Sequence, residues 1–247
     1  MTRTIRPVPK DETLDTFYHG RILVRQKKMG YRFSVDAPLL ASFIRARPQD
    51  ELLELGCGCG IISLLLSAKP FRRITALEVQ RSLAGLAGRN VALNGLGGRV
   101  RVVRGDLRTF RPRKKYDVVF SNPPYLKGEE GTLSPSAEKS IAKHELRCDI
   151  FDVMEATRRL LKKGGRSYFV FPERRRADFR QALERSGLRL GRLRAVRSRR
   201  SQPACFFLAE VDDKAAKPRV LRPLVIYDSA GGYTPEVRRI FAGGCRA

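Results

Sequence analysis

Short apolar runs alternate with amphipathic segments through most of the chain from residue 51 onward. The runs cover residues 51–55, 73–79, 99–103, 115–121 and 166–171, and each is rich in Val, Leu, Ile or Phe. Segments such as residues 81–95, 151–165 and 173–187 place their apolar residues at helical spacing instead. Repeated strand–helix units of this kind predict a parallel sheet that is covered by helices on both faces.

Two further apolar runs, residues 188–198 and 203–211, lie too close together for a crossover helix. Strands joined by a short connection pair antiparallel, so these two are expected to form an antiparallel pair at the edge of the sheet. The sequence therefore predicts an α/β fold. Its sheet is Rossmann-like and seven-stranded, mostly parallel with an antiparallel edge strand, with helices on both faces.

The segments before and after this core complete the predicted organisation. Residues 19–37 are typical of a β-hairpin with its turn at residues 27–30, and residues 37–46 of a helix that leads into the core. Residues 212–240 predict one more strand and a short helix. We accordingly divide the chain into an N-terminal extension with a β-hairpin (1–36), a central domain (37–211) and a C-terminal extension packed on the same domain (212–247).

The charge of the chain is its most unusual bulk property. Its 247 residues include 50 Lys and Arg against 25 Asp and Glu, which gives a formal net charge of +25. Such an excess favours polyanionic partners, through counterion release at phosphates and long-range steering, over a basic surface that is merely solvated. Nucleic acid is therefore the expected partner.

Neither the apolar stretches nor the cysteines indicate a secreted or membrane protein. The basic N-terminus is not followed by the apolar region of a signal peptide, and the longest apolar stretch, residues 61–68, is far too short to span a bilayer. The five cysteines show no metal-like pairing with histidine; they are Cys57, Cys59, Cys148, Cys205 and Cys245. We expect free thiols, no metal site, no membrane association and a cytoplasmic location.

A glycine-rich loop follows the first core strand and opens a helix. The sequence LELGCGCG, residues 53–60, places glycines at alternate positions, which lets the backbone turn tightly and approach a ligand closely. Its spacing is G-x-G-x-G after an acid, Glu54, whereas a dinucleotide site is marked by G-x-G-x-x-G. Taken alone, the loop is also compatible with an ordinary strand-to-helix turn.

Two more acids follow the next two strands. Glu78 ends the second strand, where a carboxylate can accept both ribose hydroxyls of an adenosine, and Asp106 follows the third, where it can meet the adenine amino edge. Ligands of α/β sheets bind at the carboxyl ends of the strands. Three acids at successive strand ends beside a glycine turn favour S-adenosylmethionine over a nicotinamide cofactor.

The fourth core strand ends at the corner FSNPPYLKG, residues 120–128. Two consecutive prolines exclude both a continuing strand and an ordinary helix start. The side-chain oxygen of Asn122 and the carbonyl of Pro123 can each accept one N–H of a planar amino group, which favours pyramidal character as its nitrogen attacks. Pro123 and Pro124 fix the backbone, and Tyr125 offers a flat face for stacking. The corner thus predicts methyl transfer to an amino nitrogen.

These motifs resemble those of the class I S-adenosylmethionine-dependent amino methyltransferases. That group includes adenine-N6 methyltransferases of DNA and RNA, and the protein glutamine methyltransferases that modify release factors. Within it, the chain is most similar to the bacterial tRNA adenine-N6 methyltransferases that act beside the valine anticodon. The segments that carry this closer resemblance are residues 20–43, 53–66, 120–125, 141–145 and 223–237.

The resemblance implies methylation of N6 of an extruded adenine in RNA, most of all in a tRNA anticodon loop, by the corner Asn122, Pro123, Pro124 and Tyr125. The central domain would then be the S-adenosylmethionine-binding catalytic domain, and the oligomeric state stays open. The cofactor-binding residues, some from the strand-end argument and the rest from the resemblance, are Phe33, Ser34, Asp36, Glu54, Gly56, Cys57, Gly58, Gly60, Glu78, Val79, Asp106, Leu107 and Asn122.

Two alternative functions remain at this point. A protein glutamine N5-methyltransferase would use the same acceptor pair on a carboxamide, although the charge of +25 argues against it. A non-catalytic RNA-binding protein on a methyltransferase fold is disfavoured because Glu78 and Asn122 are both present. His144 is interpreted as a helix-capping or solvated side chain, with a wall of the substrate pocket as the alternative.

A cluster of arginines after the fifth core strand is expected to include several RNA phosphate contacts. Its members are Arg174, Arg175, Arg176, Arg192, Arg194, Arg197, Arg199 and Arg200.

Overall fold

A computed structural model describes residues 7–29, 32–123 and 148–244. Its strands are β1 (Glu12–Phe17), β2 (Ile22–Lys27), β3 (Glu51–Leu55), β4 (Arg73–Glu78), β5 (Val100–Arg104), β6 (Tyr116–Ser121), β7 (Leu161–Pro172), β8 (Arg189–Arg197), β9 (Ala204–Asp212) and β10 (Arg219–Val225). Its α-helices are α1 (Asp36–Phe43), α2 (Ile61–Leu66), α3 (Arg81–Leu93), α4 (Ile150–Leu160), α5 (Arg176–Ser186) and α6 (Pro235–Phe241). A 3-10 turn, Glu173–Arg175, joins β7 to α5.

Eight strands form the main sheet, in the order β10-β8-β9-β7-β6-β3-β4-β5. Among the described strands of this sheet, only β9 runs antiparallel to its neighbours, because β7 and β8 both pair with it in the opposite direction. The predicted α/β class and mostly parallel sheet are confirmed. In the part of the chain that is described, none of the helices is long and apolar enough to cross a membrane.

The predicted strand count of seven and the edge position of the antiparallel pair were wrong. Strand β10 pairs in parallel with β8 and becomes the edge, so that the antiparallel pair of β8 and β9 lies inside the sheet. The ladder between β10 and β8 shifts register between Leu221 and Leu224, around Pro223. Proline cannot donate to a ladder and is tolerated at an edge. The appended strand was therefore visible in the sequence, but its place in the sheet was not.

Two hydrophobic clusters fill the two faces of the sheet. One contains buried side chains of α1, α2, α3, α6 and the β2 hairpin strand, and the other those of α4 and α5. Neighbouring strand residues alternate between them: Leu52 and Val118 belong to the first cluster, Leu53 and Val119 to the second. Period-two alternation with both faces apolar explains why the core strands appear as continuous hydrophobic runs.

The N-terminal hairpin consists of β1 and β2, which pair antiparallel from Glu12↔Lys27 to Phe17↔Ile22. Its turn lies at residues 18–21, so the predicted turn at residues 27–30 was wrong. Tyr18 and His19 both adopt φ 55°, and Gly20 adopts φ 80°. Consecutive non-glycine residues rarely enter the left-handed region, and therefore a turn at these positions was not predictable from the sequence.

Asn90 of α3 and Asn94, which follows the last residue of that helix, bind the outer edge of β2. Asn94 accepts from the Leu23 amide at 2.9 Å and donates to the Leu23 carbonyl at 2.7 Å. Asn90 makes the same pair of bonds with Arg25, at 2.8 and 2.9 Å. The two side chains thus satisfy the backbone amides and carbonyls at this edge of β2, which would otherwise be free to pair with a third strand. The boundaries proposed after residues 36 and 211 stay a prediction.

Candidate active site

A cavity of about 580 Å³ opens at the carboxyl ends of β3, β4 and β6 and beside the loop that follows β5. This is the edge where parallel α/β sheets bind ligands, and the volume is in the range of small-molecule sites. Polar groups and apolar side chains both contribute to its walls. The lining residues are Arg32, Ser34, Asp36, Leu55, Gly56, Gly58, Leu77, Glu78, Val79, Gln80, Leu83, Asp106, Leu107, Arg108, Ser121, Asn122, Pro123, Cys148, Val153 and Arg174.

The glycine loop reaches the cavity through Gly56 and Gly58. Gly56, Gly58 and Gly60 have φ of 72°, 55° and 85°, a region that side chains disfavour. A Cβ on Gly60 would come within 3.3 Å of Ala87 Cβ, whereas one on Gly56 would meet nothing within 4 Å. Gly60 therefore allows close packing against α3, and Gly56 leaves space at the cavity wall.

Glu78 joins the glycine loop to the end of β4. One carboxylate oxygen accepts from the Gly58 amide at 2.8 Å and the other from the Gln80 amide at 2.9 Å. Burial raises the pKa of Glu78, while these backbone bonds oppose the rise. A carboxylate oxygen has two lone pairs, so each oxygen retains acceptor capacity for a hydroxyl.

Asp106 lies in the cavity wall after β5, paired with Arg108. The guanidinium Nε lies 3.0 and 2.9 Å from the two carboxylate oxygens, and the Arg108 amide donates to Asp106 Oδ1 at 2.9 Å. The Arg108 side-chain hydrogen bonds lower the pKa of Asp106. Asp106 therefore lies in the cavity wall, and its contact with an adenine amino group stays a prediction; such a group would share the carboxylate with Arg108.

Asn122 follows β6 and lines the cavity together with Pro123. Its Nδ2 donates to Oδ2 of Asp36, at the start of α1, at 3.0 Å. The other oxygen of Asp36 accepts from Ser34 Oγ at 2.7 Å and from the Ala37 amide at 2.8 Å. A carboxylate only accepts hydrogen bonds, so the amide group of Asn122 is oriented with its nitrogen toward Asp36.

Of the remaining predicted cofactor residues, Ser34, Val79 and Leu107 also line the cavity. Phe33 packs instead against Phe17, with ring centroids 5.7 Å apart. Cys57 and Gly60 belong to the glycine loop but lie behind the lining, and Cys57 is buried. The four described cysteines, Cys57, Cys59, Cys148 and Cys205, are free thiols, as expected. Pro124, Tyr125 and His144 lie outside the described residues.

Glu54 is fully buried at the end of β3, where it accepts a short hydrogen bond from Ser63 Oγ of α2. Burial raises its pKa to about 8. The carboxyl is therefore protonated at neutral pH, and the structure places it behind the cavity wall and in contact with α2.

Several lining residues were not singled out from the sequence. The apolar walls come from Leu55, Leu77, Leu83 and Val153, which were indistinguishable from core positions. Arg174 follows β7 at the same sheet edge and was assigned only to a general basic cluster. Glu78 was predicted because it stands at the carboxyl end of a parallel strand, and the same criterion applies to Arg174. Arg32, in contrast, is brought to the cavity by the hairpin.

A sequence profile of the methyltransferase small domain matches residues 32–188, which is more than half of the chain. The chain belongs to the methyltransferase small domain family. The match includes the glycine loop, the strand-end acids and the Asn122 corner. As a methyltransferase of this fold it uses S-adenosylmethionine, and the residues present fit that cofactor. Glu78 retains acceptors for ribose hydroxyls, and the wall beside Gly56 is open.

Similar proteins carry more specific names. The tRNA1(Val) (adenine(37)-N6)-methyltransferase of Dyadobacter fermentans is 28% identical over 71% of this chain and 73% of its own length. The protein of the same name from Tolumonas auensis is 26% identical over 90% of this chain and 92% of its own length.

Solved structures show the same fold at lower identity. A predicted O-methyltransferase from Agrobacterium tumefaciens has a TM-score of 0.65 at 19% identity, covering 86% of this chain and 98% of its own. The tRNA m1G37 methyltransferase of M. jannaschii has a TM-score of 0.58 at 14% identity, covering 84% and 58%.

Proposed function

We propose that this methyltransferase transfers a methyl group to N6 of an unpaired adenine in RNA, most specifically in the anticodon loop of a tRNA. The observation that carries this proposal is the orientation of Asn122 by Asp36 in the wall of the cofactor cavity. The names of the similar sequences support the choice of adenine and of tRNA. A tRNA substrate also agrees with the cytoplasmic location expected from the sequence.

The main task of the protein in this reaction is to position the adenine amino group beside the cofactor. S-adenosylmethionine, when bound, would supply an electrophilic methyl group. The N6 lone pair would form the new N–C bond as the S–CH3 bond breaks, which would leave S-adenosylhomocysteine, and one N6 proton would then pass to solvent. Asn122 Oδ1 accepts one N6 hydrogen, because its amide nitrogen is directed to Asp36. Pro123 lines the same wall and carries the second predicted acceptor, its carbonyl oxygen. Both acceptors stabilise the developing positive charge on nitrogen more strongly than the planar ground state.

The proposed base must leave its stack to reach this cavity. An unpaired loop adenine is extruded at lower cost than a paired one. Tyr125, outside the described residues, is proposed to stack on it. The net charge of +25 favours an RNA substrate over a neutral protein side chain, through steering and counterion release.

The test is to supply the purified protein with labelled S-adenosylmethionine and, in separate reactions, unmodified tRNA, ribosomal RNA and total protein. Digestion and mass spectrometry identify the methylated product. N6-methyladenosine in tRNA is the expected result, and it should be lost in Asn122→Ala. Labelled N5-methylglutamine in the protein reaction would overturn the proposal in favour of a glutamine methyltransferase. Tight RNA binding without any methylated product would favour a non-catalytic RNA-binding protein.

A further inference from the structure

A row of arginines continues from the active site along the same edge of the sheet. Arg174 follows the carboxyl end of β7, next to the Asn122 strand β6. Strand β8 runs in the direction of β7, so the connection between β8 and β9, residues 198–203, lies at this edge as well. Arg199 and Arg200 belong to that connection. At about 4.8 Å per strand, β8 lies roughly 15 Å from β6.

The arginines of this row differ from most others of the predicted cluster because they form no ion pair in the part of the chain that the structure describes. Four of those eight arginines bind carboxylates of the protein itself: Arg175 with Asp178, Arg176 with Glu173, Arg192 with Glu210 and Arg194 with Glu236. Within the described residues, Arg174, Arg199 and Arg200 form no ion pair with a carboxylate, and all three are exposed. Their charges are therefore available to an external anion.

The C-terminal segment 226–234, whose motif has no other role in the site, fixes the connection that carries Arg199. Amides of Ile226 and Tyr227 donate to the carbonyls of Arg197 and Ser198, both at 2.9 Å. Arg199 Nη1 donates to the Asp228 carbonyl at 3.1 Å. The loop is closed by the stacked rings of Tyr227 and Tyr233, 5.3 Å apart. Arg199 is thus held in place by a neutral carbonyl, which leaves its charge uncompensated.

The two halves of the sheet edge differ in charge. On one side of Asn122, the acid Glu78 ends β4 and the acid Asp106 follows β5, and on the other side the exposed arginines follow β7 and β8. An RNA strand that delivers a base to Asn122 is therefore attracted to the arginine side, where the charges have no carboxylate partner among the described residues, whereas Asp106 on the cofactor side is paired with Arg108.

We propose that the RNA strand beside the target base runs over the ends of β7, β9 and β8, with Arg174, Arg199 and Arg200 contacting its phosphates. The inference rests on the proposed function, since it takes RNA as the substrate. It assigns RNA docking to a defined part of the basic surface, and it assigns to segment 226–234 the positioning of Arg199.

The test compares two triple variants with the same loss of charge at opposite edges of the sheet. The first is Arg174→Gln, Arg199→Gln and Arg200→Gln. The control is Arg73→Gln, Arg113→Gln and Arg219→Gln, because Arg73 and Arg219 begin β4 and β10, Arg113 precedes β6, and all three are exposed. Binding of an unmodified tRNA transcript is measured by fluorescence anisotropy over a salt series. Melting temperature verifies the folding of both variants.

Each lost phosphate contact should reduce the slope of log K against log salt by about 0.7–0.9. Relative to the wild type, we expect the magnitude of this slope to fall by about 2 in the first variant and by distinctly less in the control. Equal slopes in the two variants would contradict the proposed phosphate contacts of Arg174, Arg199 and Arg200, even if the wild type methylates adenine. A slope loss confined to the first variant would support the row even if the wild type methylated no RNA, an outcome in which the proposed function alone would fail.

Discussion

Asp36 Oδ2 accepts a hydrogen bond from Nδ2 of Asn122 at 3.0 Å, across 86 residues of sequence. The contact joins the first turn of α1 to the end of β6, so a residue from before the core determines how the amide at the reaction corner is turned. Its consequence is that the acceptor and donor ends of Asn122 are not interchangeable.

Asn122→Ala should lower the single-turnover methylation rate by about 10²–10³, as removal of a transition-state hydrogen bond does. Affinity for S-adenosylhomocysteine, measured by calorimetry, should change little because Asn122 acts on the incoming amino group. An RNA in which 2-aminopurine replaces the target adenine is the substrate control, since it lacks the N6 amino group. Methylation of that RNA at the normal rate would contradict the assignment.

Asp36→Asn should slow turnover by about 10- to 100-fold, because the bond that orients the Asn122 amide loses its charged acceptor. The effect should nearly disappear in the Asn122→Ala background, since a positioning residue has nothing left to position. Ser34→Ala, which removes the neighbouring bond to Asp36 Oδ1, is compared at saturating S-adenosylmethionine because Ser34 also lines the cavity. Additive losses in the double variant would show that Asp36 acts independently of Asn122.

Glu78→Ala should weaken S-adenosylhomocysteine binding by about 1.5–3 kcal/mol, the range of charge-assisted hydrogen bonds. The loss includes the anchor that Glu78 provides to the glycine loop at Gly58. Glu51→Ala removes a carboxylate at the opposite end of β3, paired with Lys114, and serves as control in the same titration. Unchanged affinity in Glu78→Ala would exclude Glu78 from the cofactor site.

Glu54→Gln should remove a destabilisation of the fold that grows with pH. The unfolded chain releases this proton near pH 4.5 and the folded chain near pH 8. Between these values the unfolded state binds fewer protons, so the free energy of unfolding of the wild type falls as pH rises. The full difference is on the order of 4–5 kcal/mol.

Denaturant unfolding of the wild type and of Glu54→Gln at pH 5, 6.5 and 8 measures the effect of Glu54. The variant should gain stability relative to the wild type with each step, while Ser63 keeps an acceptor. A difference that stays constant over this range would show that Glu54 is ionised in the folded protein.

The strand ends were predictable because alternating strand and helix patterns fix which residues meet at the carboxyl edge. Gly56, Glu78, Asp106 and Asn122 all line one cavity for that reason. Side-chain pairing was not predictable: Asp106 and Arg108 are separated by a single residue, and spacing alone does not tell whether they bind each other or a ligand.

The number of arginines in the sequence also did not show how many of them are paired with carboxylates in the fold. Eight arginines in one stretch of sequence predicted a basic face, yet four of them bind carboxylates on β9, α5, α6 and the turn after β7. The partners of Arg192 and Arg194 lie 18 and 42 residues away in sequence. Only the fold brings them together, so the sequence overestimated the charge available to RNA.

The amide of Asn90 reaches two separate parts of the molecule. Its Nδ2 donates to the carbonyls of Arg25 in the hairpin and of Cys59 in the glycine loop, both at 2.9 Å. A chain shortened to begin at residue 37 would lose the hydrogen bonds of Asn90 and Asn94 to the β2 backbone, at a net cost of about 0.5–1.5 kcal/mol each, and would expose to water the face of α3 that the hairpin covers. The smallest fragment that binds the cofactor with full affinity therefore has to include the hairpin, whatever its distance from the methyl acceptor.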